Sequence, residues 1–307
     1  MKIAFDSRPA ADPRGIGRYV RCLLDALRET ANSHELVETN RPRTADVFHT
    51  PWIDGVRVRA ACPQVVTLHD LVPLKRRSEY LRTGIRFRLR YLAVQRAARV
   101  IVPTEAVAVD AIELLGIDLD RLVVIPEAAA PAMRPAEPSA VADVRMRYSL
   151  PDEYLVWVGG LEHPDPRKRV AALADTPREM ALVLVGPTKA WAHELPDVTL
   201  TGHVSDEDLA AIYTGARALV LASDDEGFGL PTVEALACGT PVVACDVPAV
   251  REVLAHRATF VAHDDLAGLL ATAATAERPA PDPPAWSWID AARRTWTTYE
   301  AAAGATA

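Results

Sequence analysis

Apolar positions along this 307-residue chain follow two spacings. Short apolar runs, of the length that buried strands need, are separated by stretches in which apolar residues recur every three or four positions, as on one helical face. Lys2 to Phe5 reads as the first strand, and Ile16, Val20, Leu23, Leu24 and Leu27 then share a helical face. Further strands are expected over 46–48, 64–68, 99–102 and 122–125, and helices over 85–98 and 107–115. Pro126, Pro131, Pro135 and Pro138 interrupt this pattern, and proline at that density stops regular structure, so a domain boundary is placed at residue 140. Strands resume over 154–158, 181–185, 199–200, 218–221, 242–244 and 259–261. Ser205 to Asp208 reads as a capping box that opens a helix through Tyr213, and a Pro-rich segment at 279–284 precedes a last helix from about Ser287 to Ala301. Strands alternating with helices predict two α/β domains with parallel, doubly wound sheets, over 1–140 and 141–285, followed by a closing helix within 286–307.

Length alone favours two domains. The composition, half hydrophobic and 24% charged, is that of an ordinary globular protein and excludes global disorder, collagen-like repeats and a disulfide scaffold. A net charge of −7 argues against a general nucleic-acid binder. No apolar run approaches the roughly 18 to 20 residues of a membrane helix. Asp6 and Arg8 break the N-terminal apolar stretch where a signal peptide would continue, so a cytoplasmic location is expected. Cys22, Cys62, Cys238 and Cys245 form no CxxC pair and read as small buried residues in a reducing compartment. The eight histidines show no zinc spacing, so no metal is expected. Only Lys2, Lys75, Lys168 and Lys189 are lysines among 34 basic residues, which makes each worth locating.

The most informative segment runs from Asp224 to Gly239. It follows the apolar strand at 218–221, and ligands of open parallel sheets bind outside the carboxyl ends of strands. Gly227 and Gly229 allow a tight loop, Pro231 suits the first turn of a helix, and Gly239 suits its end. The amides around Gly229 and Leu230 would then sit at a helix N-terminus, a favourable place for phosphate. Glu226 lies before the loop and Glu234 about one turn into the helix, so both can accept hydrogen bonds from sugar hydroxyls in one crevice. A strand–loop–helix with merely solvated glutamates is the plain alternative.

Glu226 and Glu234, separated by seven residues around Gly227-Phe228-Gly229-Leu230-Pro231, closely resemble the nucleotide-sugar motif of the retaining family 4 glycosyltransferases (GT4). Val65 to Asp70 is similar to the first-domain strand of that family ending in His-Asp. Gly202-His203-Val204 and the helix after it resemble its base-binding turn. Gly15-Ile16-Gly17-Arg18-Tyr19 resembles its glycine loop, and Trp286-Ser287-Trp288 its closing segment. The resemblance implies the GT-B fold, two Rossmann-like doubly wound domains facing a central cleft, with the C-terminal helix packing back on the N-terminal domain. It implies transfer of a hexose from a nucleotide-diphosphate sugar, either GDP-mannose or a UDP-hexose, to an acceptor hydroxyl with an α-linkage and without a metal or other cofactor.

The same resemblance distributes roles. Pro166-Arg167-Lys168 matches the segment whose cations stabilise the leaving diphosphate, with Lys168 as first choice. This chain departs from many relatives in having Gly160 where they carry arginine, and in about two extra residues within 162–165. His69 is implied to contact the sugar or phosphate of the donor, Glu226 the transferred sugar and Glu234 the ribose. Gly227, Phe228, Gly229, Leu230, Gly15, Gly17, Gly202, His203 and Val204 border the nucleotide. Other readings are a non-catalytic nucleotide-sugar binder and a GT-B epimerase or phosphorylase. A nicotinamide dehydrogenase is disfavoured because Gly15-x-Gly17 lacks the third glycine of the dinucleotide fingerprint.

Two features of the first half bear on the acceptor, which could be a glycan, a lipid-linked sugar or a natural product. Only about sixteen residues separate the first helix from the strand at 46–48, where relatives carry more, so a shallow, open acceptor site is expected. Lys75, Arg76, Arg77, Arg82, Arg86, Arg88, Arg90, Arg96 and Arg99 form a basic stretch against Glu79 alone. It reads either as a docking surface for anionic membrane or a charged acceptor, or as a solvated Arg-rich helix.

Overall fold

The structure, a computed structural model, describes residues 1–76 and 85–304, the side chains of 85–88 excepted. It divides into two compact units, one holding Met1–Glu127 and the C-terminal segment from Trp286, the other holding Ala128–Ala285.

In the first unit the elements in chain order are β1 (Lys2–Phe5), α1 (Gly15–Glu29), β2 (Glu35–Glu38), β3 (Val47–Thr50), β4 (Gln64–Thr67), α2 (Val72–Lys75), α3 (Ile85–Val94), β5 (Arg99–Val102), α4 (Glu105–Leu115) and β6 (Leu122–Val124). All strand pairs are parallel, in the order β2-β1-β3-β4-β5-β6. Strands β3 and β4 are buried along their whole length, as a parallel sheet covered on both faces requires. Successive side chains of a strand point to opposite faces. Val66 packs with Tyr91 and Val107 of α3 and α4, while the neighbouring Thr67 takes a hydrogen bond with Tyr19 of α1, so helices cover both faces. Local chemistry sets the helix ends. Thr104 Oγ1 accepts from the Val107 amide at 3.2 Å to start α4, and Gly116 in the left-handed region (φ 62°) closes it.

In the second unit come α5 (Pro138–Arg147), β7 (Tyr154–Val158), α6 (Val170–Asp175), β8 (Ala181–Val185), β9 (Val198–Gly202), α7 (Asp206–Gly215), β10 (Ala218–Leu221), α8 (Leu230–Ala237), β11 (Val242–Cys245), α9 (Pro248–Leu254), β12 (Thr259–Val261) and α10 (Leu266–Ala274). The sheet order is β12-β11-β10-β7-β8-β9, again all parallel. Leu155, Trp157, Leu184, Val220 and Val243 form a core with Leu173 of α6 and Leu269 of α10. Tyr154, on the opposite face, donates its hydroxyl to the Ile212 carbonyl of α7 at 2.8 Å. Ser205 caps α7 as its sequence pattern predicts, its Oγ accepting from the Asp208 amide at 3.1 Å.

Several sequence expectations need correction. The units divide after Glu127, not after residue 140. Pro131, Pro135 and Pro138 of the Pro-rich segment belong to the second unit, and the Ala136 amide donates to Thr214 Oγ1 at 3.0 Å. Pro138 does not end regular structure but opens α5, because the first helical turn needs no proline amide. Strand β2 escaped notice because Glu35-Leu36-Val37-Glu38 has a short apolar centre and lies half-exposed at the sheet edge. Cys22 and Cys62 are half-buried; only Cys238 and Cys245 are buried. In the basic stretch, Arg77, Glu79 and Arg82 lie outside the described residues, as do the side chains of Arg86 and Arg88. Lys75 pairs with Asp110 at 2.9 Å, and Arg90 pairs with Asp54. Among the described residues no helix is long and apolar enough to cross a membrane.

The last helix, α11 (Trp288–Gly304), packs on α1 and carries its own starting cap, Ser287 Oγ accepting from the Asp290 amide at 3.0 Å. Trp296 Nε1 donates to Thr30 Oγ1 at 3.1 Å and stacks on His34. Deeper in, His49 is fully buried between Tyr299 OH (2.6 Å from Nδ1) and Thr67 Oγ1 (2.9 Å from Nε2). Burial pushes its pKa from 6.5 down to about 3, helped by repulsion from His69, so the imidazole folds neutral.

A buried neutral histidine couples folding to acid. Above pH 6.5 neither state holds the proton, whereas below it the unfolded chain binds one that the folded chain refuses until about pH 3. Stability should therefore fall with decreasing pH between 6.5 and 5, with a limiting slope of about 1.4 kcal/mol per pH unit from this group. His49→Gln should flatten that part of a chemical-denaturation series against pH, and an unchanged slope would remove His49 as its source.

Candidate active site

In the second sheet the chain leaves β7 toward β8 and β9, and leaves β10 toward β11 and β12. The strand order thus reverses between β7 and β10, and the crevice outside their carboxyl ends is where doubly wound sheets bind ligands. The loops after these two strands carry the charged residues singled out from the sequence.

After β7 the chain turns through Gly159, whose carbonyl approaches Gly186 so closely that a Cβ on Gly186 would lie 1.8 Å from it. Asp165 then organises the basic turn. Its side chain accepts from the Arg167 amide at 3.2 Å and from Arg167 Nε at 3.0 Å, opening a short turn over Pro166–Lys168. The Arg167 carbonyl in turn accepts from the Asp224 amide at 3.0 Å, which ties this loop to the one after β10. Lys168 Nζ donates to Glu226 Oε1 at 2.5 Å, and Arg167 Nη1 lies 3.8 Å from Oε2. Arg167 thus reaches the same carboxylate as Lys168.

The Glu226 side chain is only 7% exposed. Burial raises its pKa, but the Lys168 and Arg167 charges, the Lys168 hydrogen bond and the Ser223 hydroxyl outweigh burial and hold it below the usual carboxylate value. Glu226 is therefore an anion at neutral pH, and the basic turn is partly neutralised by it.

The glycine loop follows directly. Gly229 occupies the left-handed region (φ 84°) at the N-cap of α8, and no side chain caps the helix. The Thr232 amide and hydroxyl both bond the Gly229 carbonyl, at 2.8 and 2.7 Å, which fixes the turn. Phe228 and Leu230 are buried and anchor the loop, and Glu234 is 2% exposed within the helix. Lys168, Arg167, Glu226, the Gly227–Leu230 turn and Glu234 are thus gathered on the loops and helix at one switch point. Gly202, with φ 71° in open space, the exposed His203 and the buried Val204 end β9, two strands from β7, about 10 Å away by strand spacing.

The other predicted residues belong to the first unit. His69 follows β4 and uses both ring nitrogens. Nε2 donates to the Pro51 carbonyl at 3.0 Å, and Nδ1 lies 3.2 Å from Glu127 Oε1. Burial lowers the pKa of His69, but the Glu127 hydrogen bond and charge, the Pro51 carbonyl and Asp70 together raise it above 6.5. The Tyr19 ring meets His69 edge-on at 4.6 Å. Glu127, itself 5% exposed, was missed from sequence. Its signal was available, since it comes two residues after the strand expected over 122–125. Gly17 has a structural reason for its lack of a side chain: a Cβ there would lie 1.8 Å from the Asp12 carbonyl oxygen, as α1 presses on the preceding turn. Gly15 faces open space at the start of α1. Among the described residues no group of three His, Cys, Asp or Glu side chains is arranged to hold a metal ion.

Comparison with known proteins adds to this geometry. Residues 7–130 match the family model described as "Glycosyltransferase Family 4", and residues 152–276 match that of "Glycosyl transferases group 1". The chain is similar to the serotype-specific mannosyltransferase WbdA of Escherichia coli, with 29% identity over 227 residues, 65% of this chain and 27% of the relative. It is also similar to a D-inositol 3-phosphate glycosyltransferase of Mycobacterium sp. (strain JLS), with 32% identity over 236 residues, 68% of this chain and 53% of the relative. The chain thus spans about a quarter to about half the length of these curated relatives. Among solved structures, Anabaena HepE in complex with UDP and glucose aligns with a TM-score of 0.71 at 18% identity, covering 97% of this chain and 99% of that one. The sucrose-phosphate synthase of Thermosynechococcus elongatus aligns at 0.68 and 21% identity, over 100% of this chain and 97% of that one. These likenesses assign the two α/β units to the GT-B fold.

The His69–Glu127 pair has a pH signature of its own. Because the folded pKa of His69 is raised, its stabilisation is fully present below pH 6.5 and is lost as pH rises through the folded value. The stability gap between the wild type and His69→Gln should therefore narrow as pH rises from 6 to 9. A gap that stays constant over that range would show that His69 is not held as an imidazolium.

Proposed function

Because the chain belongs to the family 4 glycosyltransferases, we propose that it transfers a hexose from a nucleotide-diphosphate sugar to an acceptor hydroxyl with retention of configuration. The observation that carries this reading is the basic turn at Arg167 and Lys168, tied to the Glu226 loop beside the uncapped N-terminus of α8. A diphosphate placed there meets two fixed cations and the positive end of the α8 helix at Gly229 and Leu230.

The chemistry follows from the charges. The bond between the anomeric carbon and the diphosphate oxygen breaks, the electron pair leaves with the diphosphate, and a bond forms from the acceptor oxygen to the same face of that carbon. The acceptor proton passes to the departing phosphate oxygen. Negative charge grows on the leaving group in the transition state, so Lys168 and Arg167 act more strongly there than in the ground state. They supply the charge stabilisation a divalent metal gives elsewhere, and the reaction is read as metal-independent. Glu226, ionised and close to Lys168, accepts hydrogen bonds from the hydroxyls of the sugar, and Glu234 accepts from the ribose. The likeness to a mannosyltransferase favours GDP-mannose, and the likeness to a protein crystallised with UDP and glucose favours a UDP-hexose.

Three measurements test this reading. A thermal-shift screen of UDP, GDP and their sugars should show one base raising the melting temperature, through stabilisation by linkage. Lys168→Ala should lower transfer by about 10²- to 10³-fold, in line with loss of one preorganised oxyanion donor. Glu226→Gln should slow transfer by about 10²-fold while nucleotide-diphosphate binding stays equal or tightens, because the carboxylate that competes for Lys168 is gone. Full activity in Glu226→Gln, or activity abolished by EDTA and restored by a divalent ion, would overturn the assignment.

A further inference from the structure

The first sheet has a switch point too. The chain leaves β1 toward the edge strand β2, whereas β3 leads to β4, β5 and β6 on the other side. The crevice outside the carboxyl ends of β1 and β3 is therefore the ligand position of this unit. The residues that stand there belong to neither the basic turn, the glycine loop nor the His69 pair.

Asp6 directly follows β1 and is fully buried. Its amide donates to the His49 carbonyl at 3.0 Å, so the backbone of β3 sets its position. Arg8 grips the carboxylate with two parallel bonds, Nε to Oδ1 at 2.7 Å and Nη2 to Oδ2 at 2.6 Å. Trp52, just past β3, donates Nε1 to Oδ2 at 3.2 Å. The guanidinium carbon lies 5.6 Å from the Trp52 ring centroid. Gly55 makes this possible. A Cβ there would lie 2.1 Å from Thr50 Oγ1 and 2.6 Å from both Asp6 Oδ2 and Trp52 Nε1. A buried carboxylate thus holds an indole by its N–H and a guanidinium over the indole ring.

The two ends of this arrangement differ in exposure. Asp6 is inside, the Arg8 side chain is 52% exposed, and Trp52 is half-buried. Arg8 Nη1 takes no part in the carboxylate grip, and half of the Arg8 side chain is open to solvent. The carboxylate and guanidinium cancel in charge, so the platform does not select an ion. An aromatic ring joined to a planar donor suits an uncharged ring with a C–H face and hydroxyls around its edge. We propose that Trp52 and Arg8, set by Asp6, form a subsite for a neutral pyranose, the sugar ring of the acceptor. This deepens the glycosyltransferase reading and rests on it for the word acceptor, while sugar binding at Trp52 and Arg8 stands on the geometry of this unit.

The test uses the full chain and two probes, methyl α-D-mannopyranoside and methyl α-D-glucopyranoside, in saturation-transfer difference NMR with titration. The wild type should saturate the ring protons of at least one probe. Trp52→Leu and Arg8→Lys should each weaken its binding by about tenfold, the loss expected for one good contact or charge-assisted hydrogen bond. Trp52→Phe, which keeps an aromatic face and drops the bond to Asp6, should bind more tightly than Trp52→Leu. Arg8→Lys keeps a cation for Asp6, and its melting temperature reports whether the fold is intact. No ring-proton saturation of either probe on the wild type would overturn the subsite, as would undiminished binding in a folded Arg8→Lys together with Trp52→Leu. Nucleotide-diphosphate binding, titrated on the same wild-type sample, reports the glycosyltransferase reading separately. Its absence would sink that reading without deciding the pyranoside result.

Discussion

A carboxylate taken out of water must be met by a cation or by several donors, because its uncompensated burial costs more than a folded domain can spare. Both units of this chain place such carboxylates at the carboxyl ends of their strands, and the surrounding loops are arranged around them. Glu226, after β10, is met by Lys168 and Arg167 from the loop after β7. Asp6, after β1, is met by Arg8 and by Trp52 from beyond β3. Glu127, after β6, is met by His69 after β4, which in turn holds the Pro51 carbonyl after β3. The apolar cores of the sheets fix where the strands end. The ion pairs then decide how the loops beyond those ends lie against each other. Loops held by charge rather than by packing can exchange partners when a charged ligand arrives, which a packed apolar contact cannot do as cheaply.

What was legible in the sequence was local. Tyr154–Val158 and Ala218–Leu221 read directly as strands, because an uninterrupted apolar run between polar neighbours has few other ways to be buried. The spacing of Glu226, the glycine loop and Glu234 was readable for the same reason, since one loop and one helix contain it. Contacts across long separations were not readable. Nothing near residue 127 names His69 as its partner, 58 residues away, and nothing near Trp52 points to Asp6, 46 residues away. Gly17, read from the sequence as bordering the nucleotide, has a local reason for its small size that the sequence did not show, the backbone carbonyl of Asp12 in the preceding turn. Pro138 misled because proline breaks a helix interior but suits its first turn, and sequence alone did not say which position it held.

The ionised state of Glu226 shapes what the proposed donor site can do. Before any ligand arrives, its negative charge occupies Lys168 and lies near Arg167. An incoming diphosphate competes for the same cations, so the carboxylate loses part of what compensates its burial. Its pKa is held low by those cations, so moving them away raises it toward the burial-dominated value. A nucleotide diphosphate alone leaves that cost standing. A nucleotide sugar brings hydroxyl donors to the same carboxylate and offsets it. On the proposed function, the pairing of Lys168 with Glu226 would therefore discriminate between donor and spent nucleotide through one residue, by tying the satisfaction of a buried charge to the presence of the sugar.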